Sequence, residues 1–196
     1  MTAAGRPYTQ ELRAEQTRAN GRKIAAATVA LIKRTGRVAD VTLDDVARES
    51  GLTVRTILRR FGSRDGVLEA AFARMEEEFR GLRPPARPGD IDSAVHSIVT
   101  QYEAIGPLNI RALEQEESLP LIHRMLDRAR GLHRAWLAEA FAPNLARFRS
   151  AERERRITAL YAATDVYLWK LLRRDLKHSR RETEDIFGRL VRGVLS

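Results

Sequence analysis

The chain has no cysteine, which excludes disulfides and thiolate metal sites and makes the cytoplasm the simplest expected setting. Lysine is scarce as well. Lys23, Lys33, Lys170 and Lys177 are the only lysines among 35 basic residues, an arginine bias that a GC-rich coding sequence would produce by itself. No stretch approaches the roughly 20 uninterrupted apolar residues that a membrane helix needs. The segment Met1 to Pro7 has no apolar core, so no secretory signal is expected in it. Alternating strand patterns are missing, and no Asn-Gly or Asp-Gly turn joins two β-branched runs. Enzyme signatures are missing too: no phosphate-cradling glycine loop, no Gly-x-Ser-x-Gly elbow, no Glu-x-x-His pair and no His-Glu-x-x-His spacing. His96, His123, His133 and His178 stand apart, and only His123 and His133 have a spacing that puts two of them roughly on one helix face. Neither an enzyme nor a bound metal or cofactor is expected.

What remains is a globular helical protein. Of its 196 residues 43% are apolar and 31% charged, enough for a sizeable core. The net charge of +9 suggests a polyanionic partner, nucleic acid first. Position sharpens this, because residues 1–64 hold 13 basic and 6 acidic groups, a net +7. DNA contact is expected there. The segment Arg83 to Asp90, with three prolines and a glycine, cannot continue a helix. It divides a basic unit, residues 1–82, from a helical unit, residues 83–196.

The first helix is expected over residues 9–35, with Ile24, Ala27, Thr28, Leu31 and Ile32 on its core stripe and Gly36 as its left-handed stop. Thr42-Leu-Asp-Asp45 reads as the capped start of a short second helix carrying Leu43, Val46 and Ala47 inward. Gly51 ends it. Thr53 caps a third helix to Phe61, with Ile57, Leu58 and Phe61 on one side and Arg55, Thr56, Arg59 and Arg60 on the others. Gly62-Ser63 closes it and caps a fourth helix, from Arg64 to about residue 82. Two short helices around a glycine turn, the second basic, are the ingredients of a helix-turn-helix.

The run from Thr42 to Leu68, with Ile24-Ala-Ala-Ala…Gly36 before it, resembles the DNA-binding signature of the TetR family. The resemblance is strong over residues 18–75 and extends to the rest only in size and layout. It implies an all-α fold of about nine helices, with a helix-turn-helix head followed by a ligand-binding and dimerisation domain. By position, it implies that Thr42 and Thr53 cap helices and reach phosphates. Val54, Arg55 and Thr56 then face base edges, and Arg59, Arg60 and Arg64 the phosphate backbone. Arginine pairs bidentately with guanine in the major groove, so the chemistry agrees. One departure stands out: Leu58 occupies the place where the family usually has a phosphate-touching tyrosine. Arg6, Arg13, Arg18, Arg22 and Lys23 form either an arm reaching DNA or a frayed basic tail.

In the second unit Ile91, Val95, Ile98, Val99, Tyr102 and Ile105 make a helix stripe expected to end at Gly106-Pro107, with a shorter segment to Glu117 after it. Pro120 opens a long helix to about Phe141, with Ile122, Met125, Leu126, Ala129, Leu132 and Trp136 inward. Family helices in these places enclose a ligand cavity, for which Tyr102, Met125 and Trp136 are lining candidates; plain core packing is the alternative. The last helices are expected over residues 149–175 and 179–195, the second opened by the capping box Ser179-Arg-Arg-Glu182. Ile157, Leu160, Tyr161, Thr164, Leu168 and Leu171 form one stripe; Ala159, Ala163, Val166 and Trp169 form another. Ile186, Leu190 and Val194 belong with Phe187 and Val191 to a similarly broad apolar surface. Two faces exceed what one-sided packing needs, so a homodimer through a four-helix bundle is expected, burial inside a monomer being the alternative. The function these readings imply is a cytoplasmic repressor that binds a palindromic double-stranded operator as a homodimer and is released by a small-molecule effector, with no membrane partner. An activator or architectural DNA binder without a ligand, and more remotely a helical enzyme, are the competing readings.

Overall fold

The structure is a computed structural model that describes the backbone of residues 5–196 and the side chains from residue 10 onward. The side chain of Arg6 in the basic leader, and residues 1–4 of the Met1 to Pro7 segment, thus lie outside what the structure describes. Among the described residues every regular element is helical. The chain divides into two compact units, Met1–Glu77 and Glu78–Ser196, the cut falling inside a helix just ahead of the proline-rich segment.

The first unit contains α1 (Gly5–Thr35), α2 (Leu43–Ser50), α3 (Val54–Phe61) and most of α4 (Arg64–Gly81). The α1 stripe is buried as its spacing predicts: Ile24, Ala27, Thr28, Leu31 and Ile32 are at most 7% exposed. Val46, Ile57, Leu68 and Phe72, from α2, α3 and α4, are buried as well. Thr28 is polar yet fully buried, because its hydroxyl donates to the Ile24 carbonyl at 2.9 Å and leaves no orphaned donor.

The second unit holds α5 (Ile91–Leu113), α6 (Pro120–Ala140), the single turn α7 (Ala142–Leu145), α8 (Ser150–Ala163), α9 (Val166–Lys170) with a π turn (Leu171–Asp175), and α10 (Arg180–Leu195). Its core joins α5, α6, α8, α9 and α10, with Trp169, Phe141 and Phe187 fully buried. The proline-rich segment is fastened to this unit. Ser97 donates to the Pro84 carbonyl at 2.5 Å, and Gly89 N–H to the Ala140 carbonyl at 2.8 Å.

Three expectations are corrected here. Gly106-Pro107 does not end α5, which runs on to Leu113. Gly106 is there for close packing: a Cβ on it would lie 2.4 Å from Trp169 Cζ3, so tertiary burial overrides the local helix-breaking signal. The α6 stripe is misphased, because Leu132 is 44% exposed and Ala129 exposed, while His133 and Leu137 are buried. A hydrophobicity pattern cannot anticipate an inward histidine. The single helix expected over 149–175 is broken at Thr164-Asp165, where the Asp165 carboxylate accepts from Tyr167 N–H at 2.9 Å. That break resets the helical phase. Ile157, Leu160 and Thr164 before it, and Val166, Trp169 and Leu172 after it, all face one core.

The end of α10 is held by cations suited to a helix C-terminus. Arg147 donates to the carbonyls of Leu195 and Ser196, and Arg156 to that of Val194. At its other end, Ser179 and Glu182 form the expected capping box.

Candidate nucleic-acid interface

The helix-turn-helix is assembled from caps. Thr42 Oγ1 accepts from Asp45 N–H at 3.1 Å, and the Asp45 carboxylate receives the Thr42 hydroxyl at 2.6 Å. The Thr42 hydroxyl and the Thr42 N–H both donate to the Asp45 carboxyl and hold it below its usual range. Gly51 ends α2 at φ 66°, a left-handed conformation that reverses the chain within one residue. Its N–H and that of Leu52 both return to the Ala47 carbonyl. Thr53 then caps α3, its hydroxyl accepting from Thr56 N–H at 3.2 Å. Ser63 does the same for α4 through Gly66 N–H at 3.1 Å.

Ile57, fully buried, is the pin that holds α3 to the core. The rest of the helix is turned outward. Arg55, Arg59 and Arg60 are exposed, Val54 and Thr56 half-buried. Leu58, expected on the packing side, is 37% exposed and belongs to the outer surface. Arg55 and Arg59 have no hydrogen bond or ion pair among the described residues, so two guanidinium groups stand ready for an outside acceptor. Arg60 leans back. Its guanidinium carbon lies 5.8 Å from the Phe61 ring centroid, and a Cβ on Gly21 would meet its Nε at 3.3 Å. There it joins Arg18, Arg22 and Arg74 around an open cleft of ≈ 340 Å³ between α1, α3 and α4. The cleft concentrates positive charge beside α3 in a way that only the fold arranges.

Arg64 departs most from expectation. It is half-buried, with Nε donating to the Val41 carbonyl at 2.7 Å and Nη2 to those of Val38 and Ala39 at 2.6 and 3.0 Å. These bonds clamp the loop between α1 and α2, a role that the expected phosphate contact did not include. Backbone carbonyls carry no sequence signature of such a partner, and spacing alone missed it.

Residues 24–71 match the family described as bacterial regulatory proteins, tetR family. The chain carries a TetR-family regulatory domain. Solved structures show the fold beyond that domain. A proposed transcriptional regulator of Pseudomonas aeruginosa PAO1 is 18% identical at a TM-score of 0.66, over 89% of this chain and 89% of that one. A transcriptional regulator of Rhodococcus sp. Rha1 is 15% identical at a TM-score of 0.66, over 89% of this chain and 95% of that one. No curated protein matches the sequence. Within the TetR-family domain, the match spans α2 and α3 together with parts of α1 and α4.

The remaining predicted residues lie in the second unit. Tyr102 is buried and donates to the Thr164 carbonyl at 3.0 Å. Trp136 is half-buried and stacks beside His133 at 6.2 Å between centroids. Met125 is half-buried. Of the apolar stripes assigned to a second copy, Ile157, Leu160 and Thr164 are at most 5% exposed within the single chain and have almost no surface left to give. Tyr161, Leu168, Ile186 and Val194 are half-buried, while Leu171 and Leu190 are 45% and 43% exposed. Tyr167 and Leu176, at 57% and 56%, extend this outer set and were not anticipated. His123 and His133 do not converge: His133 is buried, and exposed His123 sits between Glu116 and Asp127 at 3.1 Å from each. Those three residues have ligand atoms within 4.8 Å of one another. Glu116 is already paired with both terminal nitrogens of Arg130 at 2.6 Å, so that carboxylate is engaged by a cation.

No helix among the described residues is long and apolar enough to cross a membrane.

Proposed function

We propose that this transcriptional regulator is a cytoplasmic repressor that binds a palindromic operator as a homodimer and is released by a small-molecule effector. The observation that carries the DNA reading is the outer face of α3, where Arg55 and Arg59 have no internal partner on a doubly capped helix. Val54, Arg55 and Thr56 meet base edges. Arg59 and Arg60, with the caps Thr42 and Thr53, track phosphates. Arg64 acts mainly by setting the α1–α2 loop. Residues 1–82 serve as the DNA-binding domain and residues 83–196 as the sensing and dimerising one, with Tyr102, Met125 and Trp136 toward the effector.

The homodimer reading rests on the outer apolar set of α8, α9, the π turn and α10, in which Leu171 and Leu190 are 45% and 43% exposed. Surface of this kind on two neighbouring helices is suited to a two-fold bundle. Aspartate at both Leu171 and Leu190 gives monomers in sedimentation, since a buried unpaired charge costs several kcal/mol. An unchanged dimer mass overturns that interface.

Selection of bound duplexes from a random pool tests the DNA reading. It yields a two-fold sequence with half-sites about one helical turn or a multiple apart. Log affinity for it falls linearly with log salt, by about 0.9 per neutralised phosphate. Equal affinity for scrambled duplexes sinks the proposal.

A further inference from the structure

The second unit gives several of its arginines a carboxylate. Arg130 holds Glu116, Arg134 holds Glu154, Arg173 holds Glu103 and Arg180 holds Glu184. Arg83 is treated differently. It is half-buried, yet no carboxylate pairs with it among the described residues. Its Nε and Nη2 both donate to the neutral Gln101 Oε1, at 2.8 and 2.5 Å. Nη2 also faces His133 Nδ1 at 3.4 Å, and Nη1 has no hydrogen bond among the described residues. The guanidinium carbon lies 4.5 Å from the Trp136 ring centroid.

The surroundings are fixed as neutral. Gln101 cannot turn, because its Nε2 donates to the Phe79 carbonyl at 2.9 Å. The Thr164 hydroxyl donates to the Leu160 carbonyl at 2.7 Å, so it accepts from His133 Nε2 at 3.1 Å. That assignment leaves the Nδ1 lone pair toward Arg83. Burial, with Arg83 second, pushes the His133 imidazole down to about 3, so it carries no charge near neutral pH. A partly desolvated cation among neutral acceptors is costly to keep without an anion. A guanidinium with a terminal nitrogen to spare is shaped for a carboxylate.

We propose that Arg83 is the anion anchor of the effector site, taking the carboxylate of a small acid whose apolar body packs beside Trp136. This rests on the reading of the chain as an effector-released regulator and names the effector's class. Gln101 and His133 act as positioning residues that hold the guanidinium in place. Of these residues only Trp136 was a lining candidate by sequence, because Arg83, Gln101, His133 and Trp136 come from three separate stretches of chain.

The test is calorimetry on the full chain without DNA, using benzoate, 2-naphthoate and octanoate, each against its primary amide. At least one acid binds tenfold or more tightly than its amide. Arg83→Met removes that preference, and Arg83→Lys keeps part of it. Failure of every acid to bind at millimolar concentration, equal binding of acid and amide, or a preference that survives Arg83→Met overturns the proposal. Should Arg83→Met not fold, the guanidinium NMR signal of Arg83 in the unaltered protein replaces it, shifting with the acid and not with the amide; a signal that ignores both overturns the site. A second arm separates this from the reading beneath it. Acids that bind through Arg83 without changing operator affinity leave the anion site standing and remove the sensor. Operator release by uncharged compounds alone keeps the sensor and removes the anion site.

Discussion

The outer face of α3 and the packed interior of the second unit use arginine in opposite ways. On α3, Arg55 and Arg59 point away from the protein with no internal acceptor. In the second unit arginine is mortar: Arg173 joins Glu103 to the His178 carbonyl, and Arg147 and Arg156 finish α10. Composition therefore says little about where this protein meets a polyanion, since a cation bound to its own fold is lost to outside partners. What marks a contact surface is an arginine the fold has left over. Arg64 and Arg83 are the informative exceptions, one a clamp inside the DNA-binding unit and the other a cation without an anion in the second.

The largest expected effect probes the packing of the second unit. Trp169 is fully buried against Gly106 and donates from Nε1 to Glu103 at 2.8 Å. Trp169→Ala therefore costs about 3–5 kcal/mol in denaturant unfolding. A loss below about 1 kcal/mol would mean that the Gly106–Trp169 approach does not organise this core.

A pair of arginines sharpens the contrast further. Arg64→Ala lowers stability by about 1–3 kcal/mol, because a charged donor set is taken from three loop carbonyls. Arg55→Ala leaves stability within about 0.5 kcal/mol. It instead costs about 1–3 kcal/mol of operator affinity and relaxes one base pair per half-site. Thermal unfolding and binding to singly altered operators, run on both variants, read the two effects. Reversal of the pattern would exchange the roles assigned to clamp and reader.

His133 gives the second unit a pH signature that the first has no counterpart for. Burial pushes the folded imidazole from 6.5 down to about 3, so below pH 6.5 the unfolded chain takes up a proton that the folded one refuses. Stability is full above that value and falls as the pH drops toward 3, by about 1.4 kcal/mol per pH unit for one proton. His133→Gln flattens the slope between pH 6.5 and 5. An unchanged slope in that interval would show that the imidazole is not held neutral.

The smallest effect returns to α3. Leu58 is 37% exposed where the resembled family usually has tyrosine, and Leu58→Tyr adds a phosphate donor. Operator affinity rises by about 0.5–1.5 kcal/mol without a change in sequence preference. Weaker binding, or a shifted preference, would place Leu58 against bases rather than backbone.

Local signals were most legible in the first unit. Thr42, Gly51, Thr53 and Ser63 act through neighbours three or four residues away, so caps and turn could be read from order alone. The stripe from Ile24 to Ile32 was equally open to reading, because one helix with one buried face produces one period. The second unit resisted. Pro107 inside α5 and the inward His133 are settled by packing partners dozens of residues away, and the break at Thr164-Asp165 joins a local cap at Asp165 to contacts that Tyr102 and His133 make with Thr164.

The sequence by itself determined the all-helical class, the capped helix-turn-helix and the basic face of α3, since each follows from short-range periodicity, capping and charge. Only the tertiary structure decided which arginines remain available. It gave Arg64 to the carbonyls of Val38, Ala39 and Val41, folded Arg60 against α1, and set Arg83 among neutral groups over Trp136. The reason is physical: a guanidinium's role depends on which acceptor comes within hydrogen-bonding reach, and those acceptors are carried by distant parts of the chain.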